Sequence, residues 1–372
     1  MNVGIDARMW GPSMGGGGLG RYVEQLVTNL SALPGDDRFT LWLKPESVPA
    51  AQVDERRFTK RAADVHWYTL REQLLMPSLI ARERCDLVHF PHWNVPLSIR
   101  TPFVVTIHDL ILLEEPRSAR ATTRHPLVYQ AKYAAFRRVL AHAVRDSRAI
   151  IAVSEYTRRS ILSHFPDVDP GKIRVIYEGV TALPPANPAH PAHPATPYFL
   201  HVGNAYPHKN LESLLHAFSY FHQAHPDVKL VLAGRRDAFF DRLRTEAEEI
   251  GITDAVVFVS DPDDQAIAEL YRHASLYLFP SRVEGFGLPA LEAMSEGVPV
   301  AAARTSSLPE ILGDAAVYFS PDDLEAMVEA METALTDEPL RRSLRERGRE
   351  RVRRYSWRRM AEETLQVYRS VV

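Results

Sequence analysis

A chain of 372 residues, 45% of them apolar, has material for two domains of ordinary size, each with its own core, and is too long to be one small module. Its 44 Lys and Arg against 47 Asp and Glu leave a formal charge of −3, which excludes a global pull toward nucleic acid and leaves any electrostatic partner to a local patch. The single cysteine, Cys85, excludes an internal disulfide; with no apolar run of membrane-spanning length and no basic stretch leading into an apolar core after Met1, the expectation is a cytoplasmic protein, at most peripheral at the inner face of the cell membrane.

Short runs rich in β-branched and aromatic residues alternate with helical patterns along the chain, the sign of doubly wound parallel sheets. In the N-terminal half strands are expected at residues 3–6, 39–43, 87–90, 103–107, 149–153 and 173–176. The first is followed by Gly15-Gly16-Gly17-Gly18-Leu19-Gly20 and then Arg21-Tyr22-Val23, so backbone freedom sits at a turn from strand to helix. This is not a G-x-G-x-x-G fingerprint in good form, and a plain surface loop is the competing reading. The strand at 87–90 runs into Pro91-His92-Trp93-Asn94, and the strand at 103–107 ends abruptly in His108-Asp109, which delivers an imidazole to the carboxyl end of the sheet. The bland alternative for His108 is a ring tucked under a loop, with Asp109 capping a helix.

From Pro116 to Ser160 ten cations (Arg117, Arg120, Arg124, Lys132, Arg137, Arg138, Arg145, Arg148, Arg158 and Arg159) face only Asp146 and Glu155, a local net of +8. The segment reads either as a solvated surface or as a face drawn to anionic lipid headgroups. Asp167-Val168-Asp169 follows Phe165-Pro166 and precedes Pro170-Gly171, so these carboxylates are expected to satisfy local backbone donors in a turn rather than hold a metal. Residues 184–197 carry six prolines in fourteen positions and read as an extended linker, in which His190 and His193 have no ligand role.

In the C-terminal half strands are expected at 198–202, 229–233, 255–258, 276–279, 298–301 and 316–319. The first leads through Gly203-Asn204-Ala205-Tyr206-Pro207-His208-Lys209-Asn210 into a helical repeat of Leu211, Leu214, Leu215 and Phe218, which places Lys209 at a helix N-terminus, a good setting for a diphosphate. Leu230-Val231-Leu232-Ala233-Gly234 brings Arg235 to a strand end, and Val257-Phe258-Val259-Ser260 offers backbone groups and an apolar wall. Further on, Ser281-Arg282-Val283-Glu284-Gly285-Phe286-Gly287-Leu288-Pro289-Ala290-Leu291-Glu292 sets two carboxylates eight residues apart around a glycine turn that opens a helix. Gly285 and Gly287 admit a close ligand, and Pro289 pre-sets the first helical turn, whose amides suit a phosphate.

This last segment resembles the E-x7-E signature of the retaining glycosyltransferase family 4, and the resemblance runs over almost the whole chain. It implies an α/β chain of the GT-B fold: two Rossmann-like doubly wound parallel-sheet domains with an inter-domain cleft, 1–183 binding the acceptor and 198–354 the nucleotide sugar. Residues 184–197 then form the linker, and 355–372 a crossover helix that packs back on the N-terminal domain. By position in the family pattern, Glu284 lies beside the donor sugar, Glu292 binds the ribose, and His108 touches the sugar. Gly17 and Gly18 border the donor phosphates and the acceptor. Gly203, Asn204, His208, Lys209, Arg282, Gly285, Phe286, Gly287 and Leu288 complete the nucleotide pocket. The family commonly has an arginine where this chain has Asn204, so His208 or Arg282 is expected to supply the missing phosphate contact. A competing reading keeps Glu292 as a first-turn carboxylate favoured by the helix dipole. His92 and Trp93 either line the acceptor side or are core aromatics at a strand end. Thr305-Ser306-Ser307-Leu308-Pro309-Glu310 resembles the family's S-x-P-E turn, chiefly structural in role.

The implied reaction moves a hexose, by first choice mannose from GDP-mannose and otherwise from a UDP- or dTDP-hexose, to a saccharide or lipid-linked saccharide acceptor, as in O-antigen-type polysaccharide biosynthesis. No essential metal or other cofactor and no nucleic acid is expected, because a lysine, backbone amides and a helix dipole can stabilise the leaving diphosphate. A sugar-nucleotide epimerase on the same fold, or a saccharide- or nucleotide-binding module without turnover, are the rival readings.

Overall fold

Runs of Val, Ile, Leu and Phe without polar alternation suit strands covered on both faces, and these runs pair in parallel throughout. The computed structural model describes residues 1–11, 17–115, 126–185, 194 and 196–372. Two compact units result, one made of Met1–Leu110, Thr122–Gly179 and Ser356–Val372, the other of Ile111–Ala121 and Val180–Tyr355. The expected linker at 184–197, with His190 and His193, lies largely outside the described residues. So do Gly15 and Gly16 of the glycine run and Arg117, Arg120 and Arg124 of the basic segment.

The first unit holds a seven-stranded sheet in the order β3-β2-β1-β4-β5-β6-β7. Its strands are β1 (Asn2–Asp6), β2 (Arg38–Leu43), β3 (Phe58–Ala62), β4 (Leu87–Phe90), β5 (Phe103–Ile107), β6 (Ala149–Ala152) and β7 (Ile173–Val175). Six were expected from the sequence. β3, Phe-Thr-Lys-Arg-Ala, was passed over because it is a mostly exposed edge strand in which only Phe58 is buried, stacked 4.5 Å from Phe39 of β2. Lys60 and Arg61 erase the apolar signal there, as charged edge strands do.

The second unit holds six strands in the order β10-β9-β8-β11-β12-β13. They are β8 (Tyr198–Val202), β9 (Lys229–Gly234), β10 (Val256–Ser260), β11 (Leu276–Phe279), β12 (Val300–Ala303) and β13 (Ala316–Phe319). Strand order reverses between β1 and β4 in one sheet and between β8 and β11 in the other. Crevices at the carboxyl ends of such neighbours are where ligands bind in open α/β sheets.

The C-terminal helix Trp357–Val371 packs on the helix Gly18–Ala32 within the first unit. Tyr368 Oη lies 2.6 Å from His89 Nδ1 on β4, and Arg369 donates to Asp37 at 2.7 Å. Its entry is tight: a Cβ on Gly179 would meet Trp357 N at 2.2 Å, so the chain before the second unit must be glycine there.

Candidate active site

The second sheet's switch point is built first by backbone. β8 ends at Val202, and the φ of 155° at Gly203 and its amide bond to Ala233 O (2.9 Å) turn the chain across the end of β9. That crossing leaves no room for a side chain at Gly234, where a Cβ would lie 1.9 Å from Gly203 O. Asn204 accepts from Tyr206 N through Oδ1 at 3.3 Å, a local turn contact. Pro207–Lys209 then form one 3-10 turn, and Asn210, in the left-handed region, precedes the helix Leu211–Ala224. Lys209 is thus just upstream of a helix start rather than inside one.

Lys209 meets Glu284 across 75 positions of sequence, Nζ to Oε1 at 2.6 Å, with the side chains 13% and 10% exposed. The ammonium also sits 5.8 Å from the centre of the Phe279 ring. Glu284 is held by the turn after β12: its amide donates to Ser306 Oγ at 2.9 Å, and Ser307 Oγ donates to Glu284 O at 2.9 Å and lies 3.2 Å from Phe286 O. Thr305 Oγ1 donates to Ser281 O at 3.0 Å. The Thr-Ser-Ser turn therefore clamps the loop 281–286 onto the sheet, and its hydroxyls define where the carboxylate stands. Gly287 follows with φ 109° and starts the helix Leu288–Ser295, with Pro289 in its first turn. Glu292 sits in that helix, buried, with Oε2 3.3 Å from Tyr271 Oη. A mere first-turn surface carboxylate would be neither buried nor next to a tyrosine hydroxyl. Two more polar atoms near the strand ends are buried without partners among the described residues, His201 Nε2 on β8 and Ser281 Oγ.

Two residues expected at the phosphates are placed as follows. His208 is buried, and burial first, then the neighbouring Lys209 charge, push its imidazole down to about 3. Arg282 is engaged in an ion pair with Asp322, and what it contributes to the loop is its amide, which donates to His208 O at 2.8 Å. Arg235 is exposed past the end of β9, and Val259 and Ser260 lie on the edge strand β10.

In the first unit His108 stands just past the end of β5, buried, with both ring nitrogens occupied: Nε2 is 3.0 Å from Pro91 O and Nδ1 is 3.0 Å from Glu178 Oε1. A carbonyl only accepts, so Nε2 is the donor toward Pro91 O, while Nδ1 faces the Glu178 carboxylate. The Tyr22 ring meets the imidazole edge-on at 4.6 Å. Glu178 was missed in the sequence because a lone acid before a glycine after β7 carries no pattern. Gly17, with φ 84°, caps the helix that begins at Gly18. Also unread from the sequence is the buried cluster after β1. Arg8 donates to Asp6 (2.7 and 2.6 Å), Glu72 (2.5 Å) and Val65 O (3.0 Å), and Asn94 donates to Glu72 at 2.6 Å. Only the Asp6-x-Arg8 pair at a strand end hinted at it.

Outside these sites, Asp169 accepts from Gly171 N as a turn residue should, whereas Asp167 pairs with Arg145 at 2.8 Å. The helix Pro126–Asp146 exposes Lys132, Arg137 and Arg138. No helix among the described residues is long and apolar enough to cross a membrane.

Two family models match the chain, Glycosyltransferase Family 4 over residues 16–182 and Glycosyl transferases group 1 over residues 186–351. O-antigen chain mannosyltransferase B of Escherichia coli is 25% identical over 95% of this chain and 96% of its own. O-antigen chain mannosyltransferase RfbU of Salmonella typhimurium is 28% identical over 71% of this chain and 69% of its own. Among solved structures, sucrose-phosphate synthase from Thermosynechococcus elongatus superposes with a TM-score of 0.77 at 22% identity, covering 100% of this chain and 98% of that one, a likeness of fold.

Proposed function

This chain belongs to glycosyltransferase family 4, and on that premise we propose that it transfers mannose from GDP-mannose to a hydroxyl of a saccharide or lipid-linked saccharide, with retention of anomeric configuration, in O-antigen-type polysaccharide assembly. Mannose as the sugar is favoured by its transfer in two similar proteins, both O-antigen chain mannosyltransferases; GDP as its nucleotide follows from the family resemblance. The observation that carries the reading is the meeting of Lys209 with Glu284 at 2.6 Å at the switch point of the second sheet, with Glu292 buried one turn into the following helix.

In this reading Lys209 and the amides opening the helix Leu288–Ser295 meet the diphosphate, Glu292 takes the ribose hydroxyls, and Glu284 and His108 act on the donor sugar. The departing phosphate oxygen takes the acceptor's proton, so the protein supplies position and electrostatics rather than a covalent nucleophile. No metal is required for that chemistry. Peripheral contact with an anionic membrane is supported by the exposed Lys132, Arg137 and Arg138 and by Leu70 and Leu74, 83% and 76% exposed.

The test is a screen of GDP-, UDP- and dTDP-sugars for thermal stabilisation and for nucleotide release with and without a saccharide acceptor. GDP release from GDP-mannose that rises with acceptor supports the proposal. Stabilisation without release under any pairing would replace it with a binding module.

A further inference from the structure

The His108 imidazole is held from three elements of the first unit that lie far apart in the chain. Pro91, just past β4, brings its carbonyl oxygen to 3.0 Å from Nε2, and Glu178, three residues past β7, brings Oε1 to 3.0 Å from Nδ1. Tyr22, on the helix Gly18–Ala32, meets the ring edge-on at 4.6 Å with the planes 89° apart. The backbone is tied too, since Thr157 Oγ1 donates to His108 O at 3.1 Å.

An imidazole does not choose its own orientation. Its outer torsion is broad and roughly two-fold, and a half-turn exchanges Nδ1 with Cδ2 and Nε2 with Cε1, which forfeits both polar contacts at once. Glu178 is placed to prevent that turn. It is 4% exposed, and Ile176 N, bonded to Ala152 O at 2.9 Å, extends the β6–β7 ladder to within two residues of it. Next in the chain, Gly179 lies so close to Trp357 that a Cβ would meet the Trp357 ring at 2.5 Å. The Trp357 ring also stands 6.4 Å from that of Tyr22. The first turn of the C-terminal helix thus backs Tyr22 and the neighbour of Glu178 together.

We propose that Glu178 is the positioning residue for His108: its carboxyl oxygen fixes the imidazole in the one orientation in which the ring acts on the donor sugar. It works by reach rather than by charge. Coulomb attraction changes little over the length of one bond, whereas a hydrogen bond is lost over that length, so only contact separates one ring orientation from the other. The proposal rests on the glycosyl-transfer reading for what His108 does, and on the Nδ1–Oε1 contact alone for how the ring is held.

Two substitutions separate reach from charge. Glu178→Gln keeps the reach, and its amide serves either tautomer, accepting through oxygen or donating through nitrogen. Glu178→Asp keeps the charge but stops one C–C bond short, about 1.5 Å, outside hydrogen-bond range. Both are compared with the parent and with His108→Ala on the full chain, by GDP release from GDP-mannose with methyl α-mannoside as acceptor. Glu178→Gln keeps kcat within about threefold, whereas Glu178→Asp lowers it about 100-fold, as a misplacement of about 1 Å does, with donor KM within about twofold in both. In the His108→Ala background Glu178→Asp costs nothing further, because no ring is left to position.

A second arm needs no turnover. The His108 Cε1 NMR signal, identified by its absence from His108→Ala, is single and sharp in the parent and in Glu178→Gln and broadens in Glu178→Asp as the ring samples both orientations. Both arms are read below the unfolding transition of every variant. A ring signal or kcat that Glu178→Asp leaves at the parent value, equal losses in Gln and Asp, or a further loss from Asp without His108 overturns the proposal. Failure of the parent to turn over any GDP-, UDP- or dTDP-sugar overturns the glycosyl-transfer reading and leaves the NMR arm to decide whether Glu178 holds the ring.

Discussion

Lys209→Met is the most discriminating change to the proposed donor site. Its ammonium sits 2.6 Å from Glu284 Oε1 with both side chains nearly buried, so the substitution removes a full charge while leaving the aliphatic stem to pack near Phe279. A charge-assisted hydrogen bond to a diphosphate contributes about 1.5–3 kcal/mol, or roughly 10- to 150-fold in affinity. The loss should reach the upper half of that range, because Glu284 is left as an unbalanced anion beside the incoming phosphates. The same imbalance acts on the ligand-free protein. Removing one partner of a fully buried pair costs about 3–5 kcal/mol, and the residual water access here reduces the expected loss of stability to about 2 kcal/mol. Glu284→Gln has the opposite sign on binding: deleting the anion leaves nucleoside diphosphate affinity at or slightly above the parent value, while turnover falls. Isothermal calorimetry with GDP and UDP, thermal unfolding and initial rates on Lys209→Met, Glu284→Gln and the double variant measure all three quantities. Parent-like diphosphate affinity in Lys209→Met, or equal losses in both single variants, would refute the reasoning.

Glu292→Gln should weaken nucleotide binding about tenfold, the cost of turning a charged hydrogen bond to a hydroxyl into a neutral one, with turnover at saturating donor largely kept; calorimetry with nucleotides and their 2′-deoxy analogues checks this, since the variant and the analogue should not add. Gly234→Ala must push Gly203 O away from a Cβ at 1.9 Å, so it should cost about 3 kcal/mol and abolish nucleotide binding, whereas Gly18→Ala, with nothing within 4 Å, should leave the melting curve in place. Stability should also fall in mild acid. Burial holds His89, His201 and His208 at about 3, 4 and 3 in the folded chain against 6.5 for an ordinary imidazole. The unfolded chain takes up these protons first, so this stability is full above pH 6.5 and declines by about 1.4 kcal/mol per pH unit per histidine as pH falls toward the folded values. Thermal unfolding followed from about pH 7 to about pH 5 tests it, and a flat midpoint over that interval would contradict the burial of these rings as neutral groups.

Much of this architecture is legible locally. Unbroken apolar runs such as Leu230-Val231-Leu232-Ala233 predict buried parallel strands, Gly287 and Pro289 mark a helix start, and the Glu284–Glu292 spacing with its flanks carries the family resemblance, because dihedral preference and periodicity act over a few residues. The edge strand β3 escaped for the same reason in reverse: its pairing with β2 is a property of the sheet, and its own residues read as polar surface. What a side chain does once folded depends on neighbours from distant sequence. His208 and Arg282 read alike as candidates for one phosphate contact, yet in the fold His208 is a buried ring pushed down to about 3 and Arg282 is paired with Asp322, while Glu178, which carries no pattern, grips His108 across 70 positions. Asp6, Arg8, Glu72 and Asn94 become one hydrogen-bonded cluster only because β1 and β4 are neighbours in the sheet. Local chemistry in the chain determined the elements and the Glu284–Glu292 motif. The tertiary structure alone decided which charges survive and which polar atoms stay open, since burial and Coulomb interaction depend on distance in space, and the sheets bring together residues the chain keeps far apart.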